Sequence, residues 1–450
     1  MSPSQCRGRR WKESVRNREG WLKVMAALAF LWCAAAPAGG QQPSGPAQGA
    51  QQAESCVACH QALDDERLSS PVASFAADVH AVKGLGCAAC HGGDPQAFGP
   101  EAMDPAKGFI GRPARREIPQ LCGRCHSDAA FMRRYNPSLR VDQVTEYRTS
   151  VHGRRLVQFN DPRVATCVSC HRVHAIRPPT DPQSSVHPLK VARTCGACHA
   201  DSVRMAPYGI PTDQLRRYET SVHWEMMSVK HDLAAPTCND CHGNHGAAPP
   251  GVSWVGNTCG QCHTVMQRLF DQSPHGRVFP QMGVPGCAAC HRNHDVQHAG
   301  DELLGLGAAA VCSGCHDAES RGGEQAVAMR RLIDSLRVDF DSADGLLRRA
   351  ERSGVEVSQG LFELQEARNA LVGARTAVHA SSVDAVRAET EKGFSITARA
   401  RARGGRALGE LRFRRTGLVI SVTIILALIV GLVLKIRQLE SSSLSQRESP

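Results

Sequence analysis

The distribution of apolar and polar residues divides the chain into regions of different character. One apolar run extends from Val24 to Ala36 behind a basic N-terminus, and another extends from Leu418 to Leu434 without a charged residue. Between them, six side chains recur at helical spacing and predict an amphipathic helix ending near Ser353-Gly354: Met329, Leu332, Leu336, Phe340, Ala343 and Leu347. A second helix is predicted from about Leu361 to Ala380, and a third before the C-terminal apolar run.

The N-terminal apolar run has the features of an export signal. It follows a basic stretch and precedes Ala36-Pro37-Ala38, which predicts a cleaved signal peptide at 1–38. An uncleaved anchor is disfavoured because the run is short for a membrane span. A lipoprotein signal at Cys33 is disfavoured because the large Trp32 precedes it. Residues 39–53, rich in Gln, Pro, Gly and Ala, are predicted to form a disordered leader.

The C-terminal apolar run predicts one transmembrane helix at 416–435. Its uncharged stretch spans about 26 Å at 1.5 Å per residue, and its uniform Leu, Ile and Val content disfavours a buried helix of a soluble domain. With a cleaved signal, residues 54–320 and a helical domain at 321–412 would face the periplasm, and 436–450 would be a cytoplasmic tail. The basic residues just before the span run against the positive-inside tendency.

Cysteine carries the most specific chemical signal. Eighteen of the twenty cysteines lie in nine copies of C-x-x-C-H, the attachment motif of c-type haem, in which two thiols bind the haem vinyl groups and the histidine binds the iron. The predicted thioether residues are Cys56, Cys59, Cys87, Cys90, Cys122, Cys125, Cys167, Cys170, Cys195, Cys198, Cys238, Cys241, Cys259, Cys262, Cys287, Cys290, Cys312 and Cys315. The predicted proximal ligands are His60, His91, His126, His171, His199, His242, His263, His291 and His316.

Two other interpretations of these cysteines are weaker. Structural zinc sites also use C-x-x-C pairs, but they bring two pairs together and have no need of a histidine after each second cysteine. A disulfide framework would use wider spacings. Cys6 and Cys33, the two cysteines outside the motifs, both fall in the predicted signal peptide, so the mature chain keeps no other thiol.

A repeat accompanies the motifs. The segments at 143–152 and 214–223 are similar, and the same offset of 71 residues superposes the Cys167 motif on the Cys238 motif, which indicates a duplicated two-haem module. A shorter copy begins at Phe270 and a degenerate one at Phe75. Each complete module adds two histidines, one in an S-x-H segment before its first motif and one in C-H-x-x-H.

These additional histidines match the number of distal ligands required for bis-histidine iron. The predicted distal ligands are His80, His152, His174, His187, His223, His245, His275 and His294. His231 and His298 are weaker candidates. His379, at the end of an apolar stripe, is either a distal ligand or a helix-end histidine in solvent. Which histidine serves which haem stays open, and the short gaps between motifs predict closely spaced haems.

The net charge of the mature chain bears on whether it could bind nucleic acid. Removal of residues 1–38 deletes seven basic and two acidic side chains, which lowers the net charge from +10 to +5, and the haem propionates then make the holoprotein acidic. An acidic surface excludes nucleic acid as a partner. Aromatic residues make up only 5% of the chain, which fits a core formed by haem rings.

The motifs, with C-H-R-V-H at 170–174, C-H-G-N-H at 241–245 and C-H-R-N-H at 290–294, resemble those of multihaem c-type cytochromes of bacterial respiration, especially the doubled C-x-x-C-H group. The resemblance covers about residues 54–316. It implies a mainly irregular fold with short α-helices, organised by haem stacking in parallel and T-shaped pairs. The long C-terminal helices look distantly like those of the nitrite reductase and hydroxylamine oxidoreductase group, but the active-site motif C-x-x-C-K is absent.

Three functions are compatible with these features. The first is a membrane-anchored periplasmic carrier in anaerobic respiration, which exchanges electrons with quinol or a membrane quinol dehydrogenase and with other cytochromes or periplasmic reductases. The second is an enzyme acting on a small nitrogen or sulfur compound at one five-coordinate haem, for which Gly92-Gly93 after His91 indicates a site near Cys87 or Cys122. The third is a structural subunit of a larger respiratory complex. Oligomers are compatible with each.

Overall fold

The computed structural model describes residues 54–250 and 255–447, so the predicted signal peptide and leader lie outside the described residues. Within these ranges the chain forms helices joined by irregular loops and contains no β-strand. Short helices cover the region up to His316, and three long helices follow. This architecture confirms the predicted fold class.

The eighteen short α-helices of the described region reflect frequent Gly and Pro, which interrupt helices. They are α1 Ser55–Gln61, α2 Glu66–Phe75, α3 Val79–Val82, α4 Cys87–His91, α5 Ile118–His126, α6 Ala129–Arg133, α7 Gln143–Thr149, α8 Val151–Gln158, α9 Cys167–His171, α10 Pro188–His199, α11 Ser202–Met205, α12 Gln214–Tyr218, α13 Val222–Ser228, α14 Cys238–His242, α15 Val255–Gly260, α16 Thr264–Gln272, α17 Pro274–Met282 and α18 Gly286–His291. Short 3-10 turns lie at Pro100–Met103, Pro105–Lys107, Arg115–Glu117, Ala206–Tyr208, Asp301–Leu303, Cys312–Gly314 and Val378–Ala380.

The sequence repeat is also a repeat of contacts. The Tyr147 hydroxyl donates to the carbonyl of Ala165 at 2.7 Å, and Tyr218 donates to that of Pro236 at 2.9 Å. Both tyrosines are 8% exposed. Each tyrosine therefore joins the residues just before its S-x-H sequence to the residues just before the next C-x-x-C-H motif, at the same offset as in the sequence.

Three long helices, α19 Arg321–Arg352, α20 Ser358–Ala377 and α21 Val383–Arg447, pack against one another. The predicted stripe of α19 is buried as expected except for Leu332, which is half-buried, and Ile333 joins it at 1% exposed. Burial of one such aliphatic side chain contributes about 1.5–3 kcal/mol. The apolar face of α19 is thus buried against the other long helices of the same chain. We call these three helices the three-helix bundle.

One end of the three-helix bundle contacts the region of short helices. Leu304 packs against the apolar cluster at that end. The Asp301 carboxylate accepts two hydrogen bonds from Arg375, at 2.7 and 2.8 Å, and its backbone carbonyl accepts one from Arg330. The two regions are therefore joined at the start of α19 and the end of α20.

The third helix continues beyond the bundle. α21 is 65 residues long and joins the predicted third helix and the C-terminal apolar run into one element. Its last buried side chain of the bundle core is Ala407, whereas the aliphatic residues from Leu418 onward are mostly more than half exposed. In the described part of the chain this is the one helix long and apolar enough to cross a membrane.

Candidate haem-binding sites

The C-x-x-C-H motifs adopt similar local structures. In α4, α9 and α14 the five motif residues form a single helical turn, which places the two cysteines and the histidine at positions i, i+3 and i+4 on one face. None of the eighteen motif cysteines, all of which lie in the described residues, forms a disulfide bond. Seven of the nine motifs lie wholly within a helix, whereas α15 ends at Gly260 and the 3-10 turn at Cys312 ends at Gly314. Each helical motif thus directs two sulfur atoms and one imidazole to the same side, as thioether attachment of one haem requires.

The histidine ahead of each module is held by a helix cap. We call His80, His152, His223 and His275 the leading histidines. Two residues before three of them, a serine hydroxyl accepts the backbone N–H of the residue after the histidine, and before His80 the Asp78 carboxylate accepts the N–H of His80 itself. These capping side chains are at most 2% exposed. Such caps stabilise helix starts by about 0.5–2 kcal/mol and orient the leading rings.

The histidine three residues after a motif histidine has an unusual backbone in two of three cases. We call His174, His245 and His294 the trailing histidines. His174 and His294 have φ angles of 59° and 61°, and Arg172 and Arg292 before them have φ angles of 64°. Left-handed conformations of residues other than glycine cost about 1–3 kcal/mol and are concentrated at functional sites.

Histidine rings face each other in seven pairs, and each pair joins one motif histidine to one other histidine. The separations of the ring centres are 6.0 Å for His80–His126, 6.1 Å for His91–His174, 6.0 Å for His152–His199, 6.1 Å for His171–His245, 6.0 Å for His242–His294, 6.0 Å for His275–His316 and 6.0 Å for His291–His379. Because the separations are nearly identical, the same kind of group is expected to lie between the two rings of every pair.

A single metal ion bound by both rings explains the separation. An imidazole nitrogen binds a transition metal at about 2 Å, as measured for zinc, so two bonds account for about 4 Å. The remainder is about 1 Å for each ring, which is the distance from a coordinating nitrogen to its ring centre. Ordinary aromatic pairs have ring centres about 4.5–7 Å apart, so the argument depends on the repetition of nearly the same separation in seven histidine pairs at different interplanar angles. The seven pairs therefore fit a haem iron with a histidine on each face.

The pairs fall into two geometrical classes. The four motif histidines that begin a module lie nearly parallel to their partners, with interplanar angles of 10° to 22°. The other three pairs are crossed, at 84°, 59° and 53°. Because the relative orientation of the imidazole planes changes the splitting of the iron orbitals, the two classes would give different spectra.

The remaining predicted histidines are placed as follows. His223 and His263 are close enough to interact electrostatically. His187 is 6% exposed and its Nδ1 accepts the N–H of Leu189, and neither His187 nor His60 has a histidine ring facing it. His91 and His126 both do, so the two positions that the sequence indicated for an open iron each have a ring opposite.

The environment favours neutral imidazoles, which are the form that binds metals. Burial lowers the pKa of ten histidines of these sites: His126, His152, His171, His174, His199, His223, His245, His275, His291 and His294. In several pairs Nδ1 is occupied by a hydrogen-bond partner, such as the Gly111 carbonyl on His91 at 2.8 Å. Nε2 then faces the partner ring, as in metal sites with an oriented ligand.

Asp78 gives the strongest such hydrogen bond. Its carboxylate lies 2.9 Å from Nδ1 of His80 and also accepts the N–H of Ile176 at 2.7 Å. Burial alone would raise the pKa of Asp78, but hydrogen bonds from His80 and Ile176 outweigh it and keep the pKa below its usual value. The carboxylate therefore stays charged beside a ring that faces His126.

Successive motifs lie near one another along the chain from Cys87 to Cys312. Thiols of neighbouring motifs interact electrostatically or through hydrogen bonds at every step: Cys90 with Cys122, Cys122 with Cys167, Cys170 with Cys198, Cys195 with Cys238, Cys241 with Cys262, Cys259 with Cys287, and Cys290 with Cys312. The first motif adjoins the loop after the second, where the Ser55 hydroxyl donates to the Pro95 carbonyl at 2.9 Å. The motifs therefore form an uninterrupted series.

Direct coordination of a metal ion by protein side chains has less support. Among the described residues, no three or more His, Cys, Asp or Glu side chains converge as a metal site. Zinc would need four such ligands. The histidine pairs, by contrast, leave the equatorial positions to another group, and a porphyrin supplies four equatorial nitrogens.

His379 was the least certain candidate in the sequence, and the structure places it opposite His291. It lies in the turn between α20 and α21, with its Nδ1 held by the Thr376 carbonyl at 3.0 Å. In the same turn, the Ser381 hydroxyl lies 2.9 Å from Nδ1 of His275. One turn of the three-helix bundle therefore contacts the histidines of two pairs.

Sequence reasoning missed the pairing rule and the capping residue Asp78. Each trailing histidine faces the first motif histidine of the module before its own, so the last module lacks a trailing ligand for His291. Counting in this way would have selected His379. The acid or serine two residues before each leading histidine was the corresponding signal for the caps.

Comparison with known proteins agrees with this geometry. Residues 230–317 match the family model of cytochrome c3. The match supports a multihaem c-type cytochrome with covalently bound haem and a role in electron transport. The matched segment contains four of the nine motifs. No curated protein and no solved structure matches the chain.

Proposed function

We propose that this chain is a membrane-anchored periplasmic cytochrome that carries nine covalent haems and transfers electrons between a membrane partner and periplasmic redox proteins. The observation that carries the proposal is the set of seven histidine pairs, each of which contains one C-x-x-C-H histidine at 6.0–6.1 Å from its partner. Unrelated histidines would not repeat this combination.

The residues that would hold the haems are the eighteen motif cysteines, the nine motif histidines and the facing histidines, including His379. When bound, haem supplies iron that changes oxidation state by one electron. The facing rings would hold an imidazole on each face of most haems, which would leave no position for a substrate there. This arrangement favours electron transfer over catalysis at those haems.

The position of the apolar run bears on the membrane partner. A helical rise of about 1.5 Å per residue puts Leu418 about 50 Å from Val383, and His379 lies just before Val383. The haems near His379 would thus stand well away from the bilayer, beyond contact with quinol inside it. For this end of the series we favour a protein partner, such as a membrane quinol dehydrogenase, over quinol itself.

The first prediction concerns the number and state of the haems. Full-length protein purified in detergent should contain nine haems per chain by intact mass and iron analysis. In the oxidised state, electron paramagnetic resonance should show two classes of low-spin signal, from the near-parallel and the crossed pairs. Fewer than nine haems, or high-spin iron at most sites, would contradict the proposal. Transfer is tested by reduction of the protein in membrane vesicles supplied with quinol, compared with vesicles lacking their dehydrogenases.

The second prediction concerns Asp78. With haem bound, the charged carboxylate would increase electron donation from His80 and so favour the ferric state, and Asp78→Asn should therefore raise the reduction potential of one haem. We expect a rise of up to about 60 mV, which is a tenfold change in a one-electron equilibrium. A redox titration followed by electron paramagnetic resonance measures it. Asp104→Asn, which removes a surface-loop cap that contacts no histidine, should change no potential, and an unchanged profile in Asp78→Asn would refute this role.

A further inference from the structure

The facing histidines follow a rule of exchange between modules. The trailing histidines His174, His245 and His294 face the motif histidines His91, His171 and His242, each of which begins the preceding module. In each case the backbone carbonyl two residues after the trailing histidine accepts a hydrogen bond from a backbone N–H just before a leading histidine. The three bonds run from Val79 to Ile176 at 2.8 Å, from Val151 to Ala247 at 3.0 Å and from Val222 to Val296 at 2.8 Å. The loop after one motif therefore delivers the distal ring for an earlier haem.

The loop after the second motif departs from this rule. The residue three positions after His91 is Asp94, where the other modules have histidine. The Asp94 carboxylate is held within its own loop, by Lys107 at 2.9 Å and by the N–H of Gln96 at 3.0 Å. The next residue, Pro95, accepts hydrogen bonds from both the backbone and the hydroxyl of Ser55, each at 2.9 Å. The loop thus lies against the first haem motif without offering an imidazole.

The other histidines leave His60 without a facing ring. All twenty histidines lie in the described residues. Fourteen of them form the seven facing pairs, and His223 and His263 lie close enough to interact electrostatically. Besides His60, only His187, His231 and His298 then remain. His298 is 68% exposed and binds Glu225, and His231 is exposed. His187 is buried, at 6% exposed, whereas all fourteen histidines of the seven ring pairs are partly exposed. Its contact with Leu189 N–H is that of a helix cap.

We infer that the haem attached at Cys56 and Cys59 is bound by His60 on one face and is open to an external ligand on the other. This inference rests on the proposed haem attachment. The ligand class is a small molecule with one lone pair to donate, of which carbon monoxide for ferrous iron and cyanide for ferric iron are the probes. The first haem of the series would then bind an external ligand, whereas the haems between paired histidines would have both axial positions filled by the protein.

The test uses full-length protein in detergent. The oxidised protein should show one high-spin ferric haem in nine, which cyanide converts to low-spin, and the reduced protein should bind one carbon monoxide per chain. Asp94→His, which restores the residue of the other modules, should abolish the high-spin signal and carbon monoxide binding. Asp104→His places the same side chain elsewhere in the loop region and should leave both unchanged.

A second variant assigns the signal to the first haem. Cys56→Ser with Cys59→Ser should lower the haem count to eight and remove both the high-spin signal and carbon monoxide binding. The inference is overturned if the wild-type protein has neither signal, if they survive in this double variant, or if they survive in Asp94→His. High-spin iron that arises only in His187→Ala would identify His187 as the distal ligand and equally overturn it. Absence of haem from the peptide containing Cys56 would instead contradict the proposed attachment.

Discussion

Replacement of His379 by alanine should convert one low-spin haem to a high-spin haem. His379 is the only histidine after His316, and its ring faces that of His291 at 6.0 Å with an interplanar angle of 19°. No other histidine faces His291. Because this pair is one of four that are nearly parallel, the near-parallel class of low-spin signal should lose about a quarter of its intensity, while the crossed class stays unchanged.

The same substitution should weaken the connection between the haem region and the three-helix bundle. A bond from His379 to iron would join the turn between α20 and α21 to the motif at Cys287. The ion pair of Asp301 with Arg375 and the packing of Leu304 remain, so the fold should persist. We expect increased proteolysis near this turn and little change in helical content.

Electron paramagnetic resonance and limited proteolysis of the full-length protein measure these effects. His298→Ala is the matched control, because His298 is 68% exposed and faces no other ring; it should give the wild-type spectrum. Ser381→Ala retains both rings but removes the hydrogen bond to His275, so it should create no additional high-spin iron and alter only the crossed class. A wild-type spectrum in His379→Ala would show that His379 does not bind iron.

A chain that ends after Arg415 should move from the membrane to the soluble fraction. The deleted run from Leu418 to Leu434 contains thirteen Leu, Ile and Val residues. Each contributes about −0.3 to −0.6 kcal/mol on insertion, or roughly −4 to −8 kcal/mol in total. The three-helix bundle core ends near Ala407, so it stays complete. We expect the haem spectra to be those of the full-length protein.

Fractionation of membranes, followed by an alkaline wash, measures this change. Ile424→Lys with Leu428→Lys should have the same effect, because each lysine at the centre of a span costs about 2.5–3.5 kcal/mol, whereas Ile424→Leu with Leu428→Ile should remain in the membrane. If the truncated chain still sediments with membranes after the wash, the apolar run is not the anchor.

Much of the candidate site was predictable because it is local. The C-x-x-C-H motifs were found from local spacing. The serine or aspartate cap before each leading histidine and the contacts of Tyr147 and Tyr218 also depend on residues close in the chain, but they were recognised only in the structure. The repeat made the leading and trailing histidines stand out from isolated ones. The apolar face of α19 was also predicted from the sequence, because a helix that buries one face has apolar residues at a period of about 3.6.

The proposed role of Asp94 and the facing pairs required the structure. Gly92-Gly93 suggested an open iron near Cys87 or Cys122, but His174 and His80 reach those positions from other segments. His187 resembled a leading histidine in sequence, yet it is buried as a helix cap. Residues with the same local pattern thus end up in different surroundings.

Sequence alone determined that the chain has nine C-x-x-C-H motifs, a repeat that contains additional histidines, and two apolar runs. Each of these features is visible in the spacing of nearby residues or in local composition. Only the tertiary structure decided that the trailing histidines face the preceding module, that His379 of the three-helix bundle faces His291, and that His60 faces no ring. The physical reason is that the two histidines of such a pair belong to segments far apart in the sequence. Only the folding of the backbone between these segments determines which two histidines come to face each other.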